Sequence, residues 1–372
     1  MKYYIIAGEA SGDLHGSNVV KALKRMDAQA EIRAWGGDLM AEAGATIVKH
    51  YRDLAFMGFV EVMQHLGTIL SNIKFCKQDI TAFQPDVILF VDYPGFNMRM
   101  AKWAFLQGYK TTYYISPTVW AWKENRVHHI HKYVHEMMVI LPFEEPFYAK
   151  YGYKVHYVGH PLVEVIEQEL QRNVLKEPAA RKTIALLPGS RTQEITKLLP
   201  VMLEVVAHFS DFDIVIAQAP GQEADLYGSI LSAASVKNVK LVKGKTYEVL
   251  KAADAAIVTS GTATLETALL GVPQVVVYKT NSLTYAIARR LVKAKYISLV
   301  NLILDKPVVT ELIQDECSVA RLHHELQEIT QNGDNIDRMQ ADYTRIWQML
   351  AQERKTSERV AEIVINAARA RQ

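Results

Sequence analysis

Three short polar clusters carry side chains suited to chemistry on a phosphorylated sugar. The run Val258-Thr-Ser-Gly-Thr-Ala-Thr-Leu-Glu-Thr-Ala-Leu-Leu-Gly-Val-Pro273 follows an apolar stretch at 252–257 and precedes Gln274-Val-Val-Val-Tyr278. It reads as strand, small-residue turn, helix, break and strand. Ser260, Gly261 and Thr262 stand where the helix begins, and there backbone N–H groups have no intrahelical partner and the dipole is positive. Glu266, further along the same helix, is placed to accept hydrogen bonds from sugar hydroxyls. Together they suit a diphosphate joined to a ribose. An ordinary capped helix behind a strand would carry the same spelling. In Leu187-Pro-Gly-Ser-Arg191, Gly189 permits close backbone approach beside Ser190, and the Arg191 guanidinium offers a forked grip on phosphate oxygens. Asp92 follows the apolar run 87–91 within Asp-Tyr-Pro-Gly-Phe-Asn97. A carboxylate there can take a proton from a hydroxyl, or serve only as a loop hydrogen-bond acceptor.

These residues need a scaffold that brings chain-distant turns to one edge. Residues 3–7, 31–35, 87–91, 110–115, 136–140 and 155–158 are short apolar runs separated by longer amphipathic segments. The second half repeats the theme at 183–187, 212–217, 239–242, 255–258 and 274–278. Nearly continuous apolar strands suit parallel sheets covered on both faces. Alternating strands and helices in both halves predict two doubly wound α/β domains, at 1–165 and 183–345, with a helical tail at 346–372. The polar stretch 164–182 is the expected junction. Ligands bind such sheets beyond the carboxyl ends of the strands, and all three clusters follow a strand.

Composition narrows the partners. The chain has 372 residues, 49% hydrophobic and 22% charged, with 42 Lys plus Arg against 40 Asp plus Glu. That suits two soluble cores, and a net charge of +2 gives no case for nucleic acid. Cys76 and Cys317 make no metal or disulfide spacing, which points to a reducing compartment. Met1 to Ala7 breaks at once into Gly8-Glu-Ala-Ser-Gly-Asp13, a strand and turn rather than a signal sequence. No apolar run reaches membrane-spanning length.

Other motifs support weaker readings. The Gly8 to Gly16 segment fits neither the dinucleotide fingerprint nor a P-loop. It is either a turn that lets strand and helix pack closely or a backbone cradle for an anionic substrate group at Ser11 and Gly12. Asp211-Phe-Asp213 has the spelling of a metal motif but precedes its strand, so it is read as a solvated turn. His128, His129, His131 and His135 cluster without a carboxylate or thiol neighbour, so they read as a basic rim facing phosphate or lipid headgroups, not a metal site. Phe56, Met57 and Phe59 lead into an apolar stripe through Val60, Met63, Leu66, Leu70 and Ile73. A stripe of that spacing is a core helix or a lipid-touching face.

Taken in order, five blocks resemble the lipid-A-disaccharide synthase family of inverting glycosyltransferases. They are Ala7-Gly-Glu-Ala-Ser-Gly-Asp13, Ser116-Pro-Thr-Val-Trp-Ala-Trp122, Leu187-Pro-Gly-Ser-Arg191, Ser260-Gly-Thr-Ala-Thr-Leu-Glu266 and Tyr296-Ile-Ser-Leu-Val-Asn-Leu302. The resemblance implies two Rossmann-like domains facing a cleft, the GT-B architecture. It implies transfer of the sugar of UDP-2,3-diacylglucosamine to 2,3-diacylglucosamine 1-phosphate, giving a β-1′,6-linked disaccharide 1-phosphate and UDP, with no cofactor and no metal. It assigns Asp92 as base, and Gly189, Ser190, Arg191, Ser260, Gly261, Thr262, Glu266 and Asn301 to the donor. Ser11, Gly12, Phe56, Met57 and Phe59 fall to the acceptor. It further implies a cytoplasmic enzyme held at the inner membrane surface, and homodimers exchanging carboxyl-terminal segments. Two rivals share the architecture: a UDP-N-acetylglucosamine 2-epimerase and a non-catalytic UDP-sugar-binding protein.

Overall fold

The computed structural model describes residues 1–54, 66–172, 181–234, 236, 238–281, 285, 289–290, 292 and 294–370. The chain forms two compact units, Met1–Pro161 with Gln352–Gln372, and Leu162–Ala351. Each unit is built on one parallel sheet, so the expectation of two doubly wound α/β units is met.

The first sheet holds β1 (Lys2–Ala7), β2 (Glu31–Gly36), β3 (Thr46–His50), β4 (Val87–Val91), β5 (Thr111–Tyr114), β6 (Glu136–Val139) and β7 (His156–Tyr157). Their order is β3-β2-β1-β4-β5-β6-β7. Alternate side chains of a strand point to opposite faces, and the sequence supplies apolar residues to both. Tyr3, Ile5, Val87 and Leu89 enter one core with Val19, Val20 and Leu23 of the helix Ala10–Met26. Tyr4, Ile6, Ile88 and Phe90 enter the other, with Cys76, Ile80, Met100 and Ile130. The last helix, Thr356–Arg369, returns to the first unit, where Val360, Ala361 and Val364 are fully buried in the first of these cores. Arg25 pairs with Glu358 at 2.6 Å beside this packing.

The second sheet holds β8 (Lys182–Leu187), β9 (Phe212–Gln218), β10 (Val239–Lys243), β11 (Ala255–Thr259), β12 (Gln274–Tyr278) and β13 (Glu311–Ile313). Its order is β10-β9-β8-β11-β12-β13. In both sheets the first strand has its next strand on one side and a later one on the other, and the crevice where strand order reverses is where such folds bind ligands. These crevices lie between β1 and β4 and between β8 and β11. Two strands, β3 and β13, are absent from the sequence reading. Both are edge strands with mostly half-buried side chains, so they lack the unbroken apolar run that marks a central strand. The polar stretch 164–182 begins as part of the helix Pro161–Gln171.

One residue of the opening glycine motif is architectural. Asp13 is 2% exposed; its Oδ1 accepts from Gly37 N at 2.7 Å and Met40 N at 3.1 Å, and its Oδ2 from Leu39 N at 3.1 Å. The carboxylate therefore holds the amino end of the helix Asp38–Glu42, satisfying N–H groups that the helix cannot. Gly37 admits it: a Cβ there would lie 2.7 Å from Asp13 Oδ2. Replacing Asp13 by alanine leaves buried N–H groups unpaired, so urea unfolding should show a loss of about 3 kcal/mol. A stability within ~0.5 kcal/mol of the parent would mean that these bonds contribute nothing net.

Candidate active site

In the first unit the crevice is set by the register Ala7↔Val91, which places the turn after β1 beside the turn after β4. Asp92 and Tyr93 both adopt left-handed backbone angles, φ 46° and 50°. Each costs a residue with a side chain roughly 1–2 kcal/mol, so something must hold them. Three hydrogen bonds do. Asp92 N donates to Tyr114 O at 2.9 Å, while Asp92 O accepts from Tyr113 Oη at 2.6 Å and Asn97 Nδ2 at 2.8 Å. Asn97 is fully buried and also reaches Ile6 O and Val91 O. The Tyr93 ring takes the space above Gly8, where a Cβ would lie 2.4 Å from its ring atoms. The carbonyl of Asp92 is thus locked, and its half-buried carboxylate projects from a fixed turn. Burial, with the neighbouring charge of Glu9 second, pushes that carboxyl up to about 6, against the lowering effect of the Tyr93 N–H. A base that ionises near 6 still takes protons at neutral pH.

The two other positions assigned to this turn divide. Ser11 is exposed in the first turn of the helix Ala10–Met26. Gly12 is buried, and a Cβ there would stand 3.0 Å from Ala7 Cβ. Its lack of a side chain lets the helix lie close against β1, as the packing alternative of the two sequence readings requires. Phe56, Met57 and Phe59 lie outside the described residues. The helix that follows, Leu66–Phe83, buries Cys76 and Ile80 and leaves Leu70 and Phe75 at 65% and 42% exposure.

In the second unit the register Leu187↔Val258 brings the turn 188–191 beside the turn 260–262. Gly261 has φ 153° and ψ −163° at the cap of the helix Thr262–Leu269, a backbone region open essentially to glycine alone. Gly261 and Thr262 are exposed there. Ser260 is committed elsewhere, since its hydroxyl donates to Ile297 O at 2.9 Å. It therefore ties the turn to the 297–298 loop, which leaves Gly261 and Thr262 as the exposed residues of the helix start. Thr259, which the sequence reading passed over, buries a hydroxyl with no partner among the described residues. Glu266 is half-buried, and its Oε1 accepts from Tyr247 Oη at 2.6 Å. Burial raises its carboxyl pKa while the tyrosine lowers it. Tyr247 thereby orients the carboxylate, a role that a separation of 19 positions along the chain conceals from any local motif.

Asn301 is 1% exposed; Nδ2 donates to Val309 O and Glu311 Oε1, both at 2.9 Å, and Oδ1 accepts from Val308 N and Val309 N. A side-chain amide offers two donors and two acceptor sites, and all are used inside the unit. In the structure Asn301 fixes the 308–309 backbone and Glu311, which in turn accepts from Ile297 N and Ser298 N. The Asp211–Asp213 turn lies at the amino end of β9, with Asp213 paired to Arg181 at 3.1 Å. Among the described residues no cluster of His, Cys, Asp or Glu could hold a metal ion, and no helix is long and apolar enough to cross a membrane.

Two parallel-sheet units, with glycine turns and an exposed helix start at the switch point of the second, define a protein of two Rossmann-like domains. Solved structures share the fold. The glycotransferase of kitacinnamycin matches with a TM-score of 0.67 at 14% identity, over 99% of each chain. The Methanocaldococcus jannaschii UDP-GlcNAc 2-epimerase in complex with UDP-GlcNAc and UDP matches with 0.66 at 13%, over 98% of this chain and 100% of that one. Sequence then decides between transferase and epimerase. The Lipid-A-disaccharide synthetase family model matches residues 3–365. The lipid-A-disaccharide synthase of Geobacter metallireducens is 39% identical over 371 residues, covering 97% of this chain and 96% of the relative. That of Nitrosococcus oceani is 38% identical over 360 residues, covering 92% and 90%. The chain belongs to the lipid-A-disaccharide synthase family, and it is a glycosyltransferase of lipid A disaccharide synthesis.

The pH dependence follows from the turn. If ionised Asp92 is required, kcat/KM should fall on the acid side with a midpoint near pH 6. Glu9→Gln removes a negative neighbour and should move that limb to lower pH. A limb that stays in place, or moves up, would show that Asp92 is not the titrating group.

Proposed function

We propose that the chain transfers the sugar of UDP-2,3-diacylglucosamine to the 6-hydroxyl of 2,3-diacylglucosamine 1-phosphate by a single inverting displacement. Asp92 accepts the hydroxyl proton as that oxygen attacks the anomeric carbon, and UDP leaves from the opposite side. Negative charge then grows on the departing β-phosphate. Arg191 and the helix start at Gly261 and Thr262 supply positive charge and N–H donors for it, so the step needs no metal. Glu266, held by Tyr247, accepts from hydroxyls of the nucleotide sugar. The observation that carries this reading is the pairing of Leu187 with Val258, which sets Arg191 and the Gly261 turn at one sheet edge.

Asp92→Asn keeps the shape of the turn and removes the base, so turnover should drop by ~10²–10⁴-fold while UDP affinity holds. Arg191→Ala should weaken UDP binding measured by calorimetry. Near-normal turnover in the first variant would dismiss Asp92 as base, and unchanged UDP affinity in the second would dismiss the diphosphate site.

The acyl chains of both substrates need apolar contact, each buried methylene being worth about 0.8 kcal/mol. Phe56, Met57 and Phe59 are proposed to supply it with the exposed Leu70 and Phe75, giving a peripheral protein at the cytoplasmic face of the inner membrane. Serine at positions 56, 57 and 59 should reduce liposome flotation or acceptor affinity and spare UDP binding. Flotation and acceptor affinity both unaltered would remove the stripe from the proposal. In a homodimer with exchanged carboxyl-terminal segments, Val360 and Val364 would bury against Val19 and Val20 of a second copy instead of their own.

A further inference from the structure

The turn after β8 is already occupied by an anion, and the anion is the protein's own. Gly189 has φ 107°, and the N–H groups of Ser190 and Arg191 converge on one oxygen, Glu194 Oε2, at 3.1 and 3.3 Å. Successive N–H groups arranged this way form a concave anion seat. The other carboxylate oxygen, Oε1, accepts from Arg191 Nη1 at 2.8 Å. The glycine serves this contact directly, because a Cβ at 189 would lie 2.6 Å from Glu194 Oε2 and 2.8 Å from Glu194 Cβ. The close approach that Gly189 permits is therefore made by Glu194, not left open for a phosphate. Gln222 braces the same turn by donating to Ser190 O at 2.8 Å.

Exposure separates the two members of the ion pair. The Glu194 side chain is 13% exposed and that of Arg191 is 67%. The carboxylate is packed in, and the guanidinium, with one of its five N–H donors used on Glu194, turns most of its edge outward. Dislodging Glu194 would forfeit two backbone bonds and an ion pair, and would leave a carboxylate beside an incoming diphosphate.

We infer that Glu194 is a positioning residue for nucleotide binding: it stays seated in the turn and holds the Arg191 guanidinium at the angle from which its free edge grips the diphosphate. This rests on the reading of Arg191 as a diphosphate ligand. With the backbone N–H groups at 190–191 spent on Glu194, the grip is left to the guanidinium and the helix start at 261–262. The opposite role, a placeholder that UDP must expel, makes the opposite forecast.

Calorimetric titration of UDP into the full chain separates these roles, using Arg191→Ala, Glu194→Gln, Glu194→Ala and the Arg191→Ala/Glu194→Ala double variant. Glu194→Ala should weaken UDP binding on the order of tenfold, the size of one lost interaction of about 1.4 kcal/mol. Glu194→Gln keeps an oxygen for the backbone donors but loses the charge, so it should fall between parent and alanine with little change in thermal midpoint. On an Arg191→Ala background, Glu194→Ala should add less than about twofold, since pairs acting through one another are not additive. Tighter UDP binding in either Glu194 variant would overturn the inference in favour of the placeholder. An undiminished Glu194→Ala effect in the double variant would also overturn it, reducing Glu194 to a brace for the turn. If UDP affinity survives Arg191→Ala itself, the diphosphate reading fails first and the inference goes with it. If Arg191→Ala weakens binding but both Glu194 variants bind as the parent does, only the inference fails.

Discussion

Parallel pairing of Ala7 with Val91 and of Leu187 with Val258 is the constraint on which the site depends. In each unit two strands far apart in sequence lie side by side and end together. Whatever residues follow those strands are then neighbours, whether or not any local signal marks them as such. The sheets can hold that register because both faces are buried. Ile5, Leu89, Ile6 and Phe90 are at most 1% exposed, and a slip by one residue would exchange the two faces of each strand.

Within this frame the polar groups fall into those proposed to meet ligand and those that hold them. Asp92 sits on a strained turn clamped by Tyr113, Asn97 and the Tyr114 carbonyl. Glu266 leans on Tyr247, and Arg191 on Glu194. In each case the group is fixed by a partner that is more buried or lies elsewhere in the chain. Such support is what a preorganised site requires, since donors that must reorient during the reaction lose much of their electrostatic advantage. Asp13 and Asn301 belong to this supporting class as well. Both lie in blocks that mark the family, and both spend their hydrogen-bonding capacity on backbone.

Family motifs therefore mix chemistry with architecture. In Ala7 to Asp13, Ser11 is presented outward, Gly8 admits the Tyr93 ring, Gly12 lets the helix approach β1, and Asp13 caps a neighbouring helix. In Leu187 to Arg191, the glycine makes room for Glu194. A glycine turn after a strand announces close approach, but the approaching atom can be a side chain of the same protein. Gly12 and Gly189 both make room for atoms of the protein itself.

The sequence by itself determined the fold class, the central strands and the turns that follow them, because these depend on apolar periodicity and on glycine and proline, both of which are local. The places of Asp92, Arg191 and Gly261 at strand-to-helix turns were legible for the same reason: each follows an apolar run and precedes a helix. The edge strands β3 and β13 were not, since half-buried strands lose the continuous pattern. The partnerships of Tyr247 with Glu266, Tyr113 with Asp92 and Asn301 with the 308–309 backbone were decided only by tertiary structure. They join residues whose separation along the chain carries no information about distance until the sheet order is fixed. The seat of Glu194 lies only three residues from Arg191, and still needed the structure, because one hydrogen-bonding geometry can serve a cap, a brace or a ligand's rival.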